Sequence, residues 1–272
     1  MGNRPQQLEV AIASTRAQLV DVEVVLVVNG GNPDRSLADV VVEPGENVGI
    51  PEGRNRGVRA CTSDLVCFLD DDAALVGDVL TAVREAFAAD SRLAAIGLRI
   101  TDEEGNTARR YVPGLRKDPN RSRAATSFPG GACVVRRTAF ESVGGFCGAF
   151  RYGLEETDLA WRLIDAGWDV QYRADLQLFH PNTRPERHRD FAFLTARNRM
   201  WLARRLLPWA LAVAYVGNWT IITIIRNLRR PALIAAHLQG TAAGVRSVPE
   251  QRRVIRWRTV CELVRRGRPP VI

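Results

Sequence analysis

Asp70, Asp71 and Asp72 stand in a row directly after the apolar run 65–69. Three carboxylates crowded at a strand end repel one another unless a cation shares the space. A hard divalent ion, Mg²⁺ or Mn²⁺, suits such an oxygen-rich group and commonly reaches substrate phosphates as well. Asp72 alone could cap the helix that follows, but a cap uses one aspartate and not three. A second acidic group, Glu155, Glu156 and Asp158, opens the segment 155–166, whose other face carries Leu159, Leu163 and Ile164. Acids in a first helical turn are favoured by the helix dipole, and Arg162 lies at ion-pair spacing from Asp158. Their functional interest comes from their company. Gly130 and Gly131 precede them, and glycines there would let a substrate approach the backbone. His180 is one of three histidines; it ends a strand before Pro181 and Asn182, where a ligand role and a structural one are both open. Arg54 and Asn55 open a helix after Asn47, Gly49 and Gly53, a pattern that suits an anion or a base.

The elements that must position these residues alternate in type. β-Branched runs and helical periodicities follow one another through the first half, the pattern of βαβ units and a mostly parallel sheet. The run 22–28 reads as a strand buried on both faces and ends in a turn, Asn29 to Pro33, at the carboxyl end where α/β folds place ligands. Strands follow at 65–69, 93–100, 130–135, 169–172 and 176–179, and helices at 53–61, 76–89 and 155–166. Residues 102–106 carry a hairpin signal, and 111–128, polar with two prolines, reads as a long mobile loop. The chain opens with a helix at 5–18, Leu8, Ala11, Ile12 and Leu19 inward, so its first strand comes second.

Composition is that of a globular protein: 272 residues, 46% hydrophobic and 25% charged, which excludes disordered and fibrous classes. Five cysteines without metal-type pairing (Cys61, Cys67, Cys133, Cys147, Cys261) argue against a disulfide framework or a zinc site. With no basic start and apolar run after Met1, they suggest a reducing, cytoplasmic setting. The net charge of +8 is unevenly spread. Residues 184–272 hold eighteen arginines and four acids, a net of +14, whereas residues 1–183 hold 20 basic and 26 acidic residues, a net of −6. The expected organisation is an α/β domain over 1–183 followed by a basic helical region over 184–272 that seeks an anionic partner.

Taken in order, VVLVVNGG, NVGIPEGRNRG, CFLDDDA, SFPGGACVVRRTAFESVGGF, LEETDLAWRLIDAGW and LFH resemble family-2 glycosyltransferases of the GT-A fold, of rhamnosyl- or galactofuranosyl-transferase type. The resemblance implies a Rossmann-like mixed sheet and a role in cell-wall or polysaccharide synthesis. Asp70 and Asp72 look like the DxD pair that holds Mg²⁺ or Mn²⁺ on the diphosphate of a nucleotide sugar, with Asp71 beside them and His180 completing the metal set. Glu156 matches the base that deprotonates an acceptor hydroxyl in an inverting displacement. Since this chain has Glu155, Glu156, Thr157, Asp158 where the family commonly has an Asp within an ED pair, any of the three carboxylates is a candidate. Asn29, Arg54 and Asn55 would lie near the nucleoside, and Gly130 and Gly131 near the acceptor. Val28 stands where the family has an acidic residue that contacts the base, so no preference for uracil or thymine carries over. Family members also begin with an apolar strand ending in a Thr-rich loop, which here is expected upstream of Met1, taken as an internal methionine.

In the basic region, 206–225 carries no charge over twenty residues and is bracketed by Arg204, Arg205 and Arg226, Arg229, Arg230. That is long enough to span a bilayer, though Pro208, Gly217, Asn218, Thr220 and Thr223 dilute it. Val254, Trp257, Val260, Cys261 and Val264 share one helical face flanked by arginines, the pattern of a helix lying in an anionic membrane surface. The acceptor expected is a glycan or a polyprenyl-linked glycan on the cytoplasmic leaflet, reached by peripheral attachment to the inner face of the plasma membrane. No nucleic-acid module is recognisable. The competing function is a catalytically impaired or non-enzymatic anion-binding protein on the same scaffold.

Overall fold

The structure, a computed structural model, describes residues 4–115, 118–182, 190–247 and 252–271. The compositional break at Thr183 and positions 116–117 of the 111–128 stretch lie outside them. In chain order the elements are α1 (Pro5–Arg16), β1 (Val25–Val27), β2 (Val40–Val42), α2 (Ile50–Ala60), β3 (Leu65–Leu69), β4 (Ala74–Val76) and α3 (Val79–Ala89). There follow β5 (Leu93–Thr101), β6 (Arg123–Ala124), β7 (Ala132–Arg136), α4 (Arg137–Ser142), α5 (Glu155–Ala166) and β8 (Asp169–Phe179). Last come α6 (Phe191–Leu206), α7 (Trp209–Arg226), α8 (Pro231–Arg246) and α9 (Trp257–Arg265).

The main sheet runs β3-β7-β5-β8-β4, with β6 also on β8. It is mixed rather than mostly parallel: β5 and β8 are parallel, and β7 is antiparallel to both β3 and β5. The β-branched pattern fixes strands but not their direction. β7 is reached through the 111–128 stretch and not through a helical crossover, so it is free to run against its neighbours. The chain turns at Asp70, where Ala73 N–H donates to the Asp70 carbonyl, and returns as β4 along β8. Residues 74–76 are therefore a strand, and the helix expected from 76 begins at Val79. The two short strands expected at 169–172 and 176–179 are one, β8, with a register irregularity opposite Leu98 and Arg99. The turn at 102–106 forms, with Asp102 and Asn106 bonded through their backbones, but among the described residues no strand returns from it along β5.

β1 and β2 pair in parallel as a separate ribbon, which shares no strand pairing with the main sheet among the described residues. Val25 and Val27 on one side and Val66 and Phe68 of β3 on the other line a common cavity of about 1470 Å³. No strand lies between the two among the described residues. The first helix, α1, buries Leu8 and Ala11 as expected, while Leu19 lies beyond its end and is 82% exposed. Gln18 instead supplies the tertiary contact: its side-chain oxygen accepts from the N–H groups of Val79 and Leu80, capping α3.

The described residues of the 111–128 stretch, 111–115 and 118–128, form a packed strap and not a mobile loop. Val112, Ala125 and Phe128 are buried, Ala125 N–H donates to the Val170 carbonyl, and Tyr172 Oη donates to the Pro119 carbonyl. These apolar side chains are too scattered to give a period, yet each fills a gap over the sheet. One core cluster continues from Val66 and Phe68 through Trp161 and Leu163 to Trp201, Leu206, Tyr215 and Leu263. The compositional break thus does not coincide with a break in the core. α9 buries Thr259, Val260 and Leu263, so the apolar face expected over 254–264 is divided, with Val260 inward and Val254, Trp257, Cys261 and Val264 exposed.

α6 and α8 approach closely because Gly240 and Gly244 carry no Cβ: one at Gly240 would overlap the Phe193 carbonyl, and one at Gly244 would press on Met200. At Gly217 in α7, by contrast, nothing lies within 4 Å of an added Cβ. Gly240→Leu is expected to destabilise the protein by about 1–3 kcal/mol through overpacking. Gly217→Ala is expected to leave stability unchanged or raise it by up to about 1 kcal/mol through helix propensity. Urea midpoints of the two variants against the parent protein check both signs.

Candidate active site

Two strand ends deliver the metal-type residues. β3 runs into Asp70, Asp71 and Asp72, and β8 leads directly to His180, whose N–H is held by the Thr101 carbonyl of the intervening β5. One oxygen each from Asp70 and Asp72 and one His180 nitrogen lie within 4.8 Å of one another. His180 Nδ1 is 2.8 Å from the Pro181 carbonyl, to which it donates. Its Nε2 then faces Asp72 at 3.3 Å, an arrangement of lone pairs that a proton or a metal cation must join. Burial lowers the affinity of His180 for a proton, but the hydrogen bond and charge of Asp72 outweigh it and hold its pKa above the ordinary value. Arg4, just before α1, places its guanidinium on Asp72 and 3.9 Å from Asp71, a positive charge within this carboxylate group. The donor set of two carboxylates and an imidazole, all oriented at one point, fits Mg²⁺ or Mn²⁺. Asp71 is half-buried beside them, and burial, then the neighbouring charge of Asp72, raises its pKa.

From α2, Arg54 joins this group to the second. Its Nη2 bonds Asp70 at 3.1 Å, while its Nη1 stands 3.8 Å from Glu155 and 3.9 Å from Glu156 and makes no hydrogen bond. Glu155 is buried, and its Oε2 is also without a hydrogen-bond partner. Burial and then the adjacent Glu156 push Glu155 up to about 8, against the pull of Arg54. Burial raises Glu156 too, again opposed by Arg54. Glu156 is the more open of the pair, with 21% of its side chain exposed against 3% for Glu155. Both line the cavity, as do Arg54, Asp70, Asp71, Asp72 and His180.

Gly130 and Gly131 are where the sequence puts them, for a different reason. A Cβ on Gly130 would strike Arg54 and Glu156, and one on Gly131 would strike the Asp70 carboxylate. The place of the missing Cβ is thus taken by the protein's own charged groups, and both glycines line the cavity. Two expectations are corrected. Asn55 does not line the cavity; its amide accepts from Phe146 N–H and donates to the Phe146 carbonyl, both at 2.9 Å, and so is spent on bracing the chain ahead of α5. Asp158 is fully buried, paired with Arg162 at 2.7 Å and with Arg205 of α6, and is absent from the cavity wall. At a helical spacing of 100° per residue, Asp158 points some 200° away from Glu156, so the two cannot serve the same space. Asn29 does line the cavity, but its side chain is engaged in holding Val48 N–H and the Gly49 carbonyl.

Three features had no sequence signal. Leu154, the residue before Glu155, adopts the left-handed conformation with φ 70°, a strained entry that sets the direction of the acidic turn. Tyr111, from the strap, packs edge-on to His180 at 6.4 Å. Tyr152 and Phe191, 6.3 Å apart, add an aromatic rim contributed in part by α6. Each depends on contacts between distant segments.

Comparison with known proteins places this geometry. The sequence pattern described as Glycosyl transferase family 2 matches residues 2–144, just over half of the chain. A curated relative, the pre-mycofactocin glycosyltransferase of Mycobacterium tuberculosis, found in two strains, is 33% identical over 162 residues, 56% of this chain and 32% of the relative. The chain thus spans about a third of the length of these relatives. Among solved structures, GalNAc-T7 with UDP, GalNAc and Mn²⁺ aligns with a TM-score of 0.59 at 13% identity over 75% of this chain and 46% of its own. The mannosyltransferase PcManGT from Pyrobaculum calidifontis, in complex with GDP-Man and Mn²⁺, aligns with a TM-score of 0.55 at 17% identity over 92% of this chain and 74% of its own. At such identities the likeness is one of fold, and it is the GT-A fold.

The two acidic positions are expected to separate in their effects. Asp158→Ala leaves Arg162 and Arg205 facing a buried gap and is expected to cost about 3–5 kcal/mol in denaturant unfolding; Glu156→Gln is expected to cost less than about 1 kcal/mol. Because Glu155 binds its proton more tightly folded than unfolded, its contribution to stability is full below its ordinary pKa of 4.5 and is lost as pH rises toward 8. Glu155→Gln should accordingly gain stability relative to the parent protein between pH 5 and pH 9, read from melting curves at each pH. An unchanged difference across that range would contradict the buried, proton-favouring site.

Proposed function

Because the chain belongs to glycosyl transferase family 2, we propose that it moves a sugar from a nucleotide-diphosphate sugar to a hydroxyl of a glycan or polyprenyl-linked acceptor, with inversion at the anomeric carbon. The observation that carries this reading is the placing of two charged groups on one cavity, Asp70, Asp72 and His180 on one side and Glu156 on the other, joined through Arg54. Asp70, Asp72 and His180 would hold Mg²⁺ or Mn²⁺, which when bound supplies charge stabilisation for a departing diphosphate. Glu156 accepts the proton of the acceptor hydroxyl as its oxygen bonds to the anomeric carbon and the bond from that carbon to the diphosphate oxygen breaks. Arg54 draws the pKa of Glu156 down against burial, which raises it, and stands between Glu156 and Asp70. Glu155, more deeply buried, holds Arg54 from behind. The aromatic rim of Tyr152 and Phe191 offers a stacking surface to a sugar ring, and the donor proposed is a hexosyl or deoxyhexosyl nucleotide, rhamnosyl and galactofuranosyl among them. The acceptor class and a setting at the inner face of the plasma membrane belong to the same proposal.

Calorimetric titration of UDP, TDP and GDP with and without Mn²⁺ tests the donor site. Metal-dependent binding of one of them is expected, weakened at least about tenfold in Asp72→Ala. Glu156→Gln is expected to bind that nucleotide normally and to lose turnover by roughly 10²–10⁴-fold, the range of a general base. Nucleotide binding indifferent to metal and to Asp72→Ala would overturn the donor site; binding without turnover in the parent protein would favour an impaired enzyme on this scaffold.

A further inference from the structure

The helix α7 has two unlike faces. Inward, Ala212 and Tyr215 are buried, Tyr215 meets Trp161 edge-on at 6.1 Å, and the Trp219 ring lies 4.2 Å from the Arg199 guanidinium. On the opposite face Trp209, Val213, Ile221 and Ile225 are 57–72% exposed at spacings of four and eight residues, and Leu228 continues the stripe at 69%. Gly217 fills the gap in that stripe, with nothing within 4 Å of the place a Cβ would take. A row of large apolar side chains several turns long is not ordinary solvated helix surface.

The charges around this stripe have one sign. No acidic residue occurs between Asp190 and Glu250, a stretch that contains eight arginines. Arg226, Arg229 and Arg230 cluster at the carboxyl end of α7, all exposed, and at the other end Arg252 stacks 4.0 Å from the Trp209 ring. An apolar stripe flanked by arginines and closed by a tryptophan suits the boundary between lipid headgroups and acyl chains. α7 also has the length and apolarity to cross a bilayer, with a mean hydropathy of 1.3 over its 18 residues. Its inner face, however, is committed to Trp161 and Arg199 of the protein core, so lipid cannot surround it without breaking those contacts.

We propose that the outer face of α7, from Trp209 to Leu228, is a docking surface for an anionic lipid bilayer, on which the helix lies in the membrane plane. Val213, Ile221 and Ile225 enter the interface, and Arg226, Arg229 and Arg230 meet lipid phosphates. None of these residues lines the cavity of the candidate active site, and the proposal does not depend on the transfer reading.

Co-sedimentation of the full chain with phosphatidylcholine vesicles, with and without phosphatidylglycerol, tests the proposal without any sugar substrate. The expected result is binding to the anionic vesicles, reduced by added salt. It should weaken about tenfold or more in Val213→Asp/Ile221→Asp/Ile225→Asp and severalfold in Arg229→Glu/Arg230→Glu. Both variants alter exposed positions, and circular dichroism checks that they remain folded; the arginine variant carries the test alone if the other does not. Absence of binding, equal binding by the folded variants, or retention on vesicles after an alkaline carbonate wash would each overturn it. So would a lipid-free dimer that the same substitutions dissociate, since the stripe would then be a protein interface.

Discussion

A single buried guanidinium holds the candidate site together. Arg54 sits among Asp70, Glu155 and Glu156, three carboxylates drawn from a strand end and a helix start. Its charge opposes burial and mutual repulsion, which raise the pKa of both glutamates. The two glycines follow from the same constraint. Arg54, Glu156 and Asp70 converge so closely on Gly130 and Gly131 that a methyl group at either position would collide with them. The strained Leu154 belongs here as well, because a left-handed residue at the helix entry turns the acidic pair toward the guanidinium.

A second charge cluster fixes the helix from its other side. Asp158, one turn into α5, is sealed between Arg162 and Arg205, so α6 is bound to the acidic helix by a buried ion pair as well as by packing. Residues two apart on one helix therefore do opposite things: Glu156 faces the cavity and Asp158 faces the core. The basic region is joined to the fold by such contacts, whatever its composition suggests. Arg266 makes a similar link, bonding Asp169 at the start of β8 from just beyond α9.

What was legible in the sequence was local. The apolar run before Asp70, the acidic turn of α5 and the strand leading to His180 each carry their own pattern, and each lies where it was expected. The glycines were legible as points of close approach, though not what approaches them. Strand direction was not, since burial patterns carry no sense of direction: β7, apolar on both faces, runs against both neighbours, while the alternating β8 is parallel to β5 and antiparallel to β4. Nor were Asn55 and Asp158, whose partners Phe146 and Arg205 are 91 and 47 residues away. A polar residue near a motif reads as functional until the distant group that consumes it is known. The strap at 111–128 misled for the converse reason, its few apolar side chains being buried one by one with no period to announce them.

The separateness of the β1–β2 ribbon has a mechanical consequence. The floor of the cavity, from Asp70 through Arg54 to Glu156, is tied by ion pairs to a five-strand path of continuous hydrogen bonding and is stiff. The opposite wall, carrying Val25, Val27 and Asn29, leans on α2 and on its own partner strand, so moving it breaks no ladder. The two sides of the chamber are therefore held by different means: the charged centre by a continuous ladder and ion pairs, and the wall facing it by packing and a ladder of two strands.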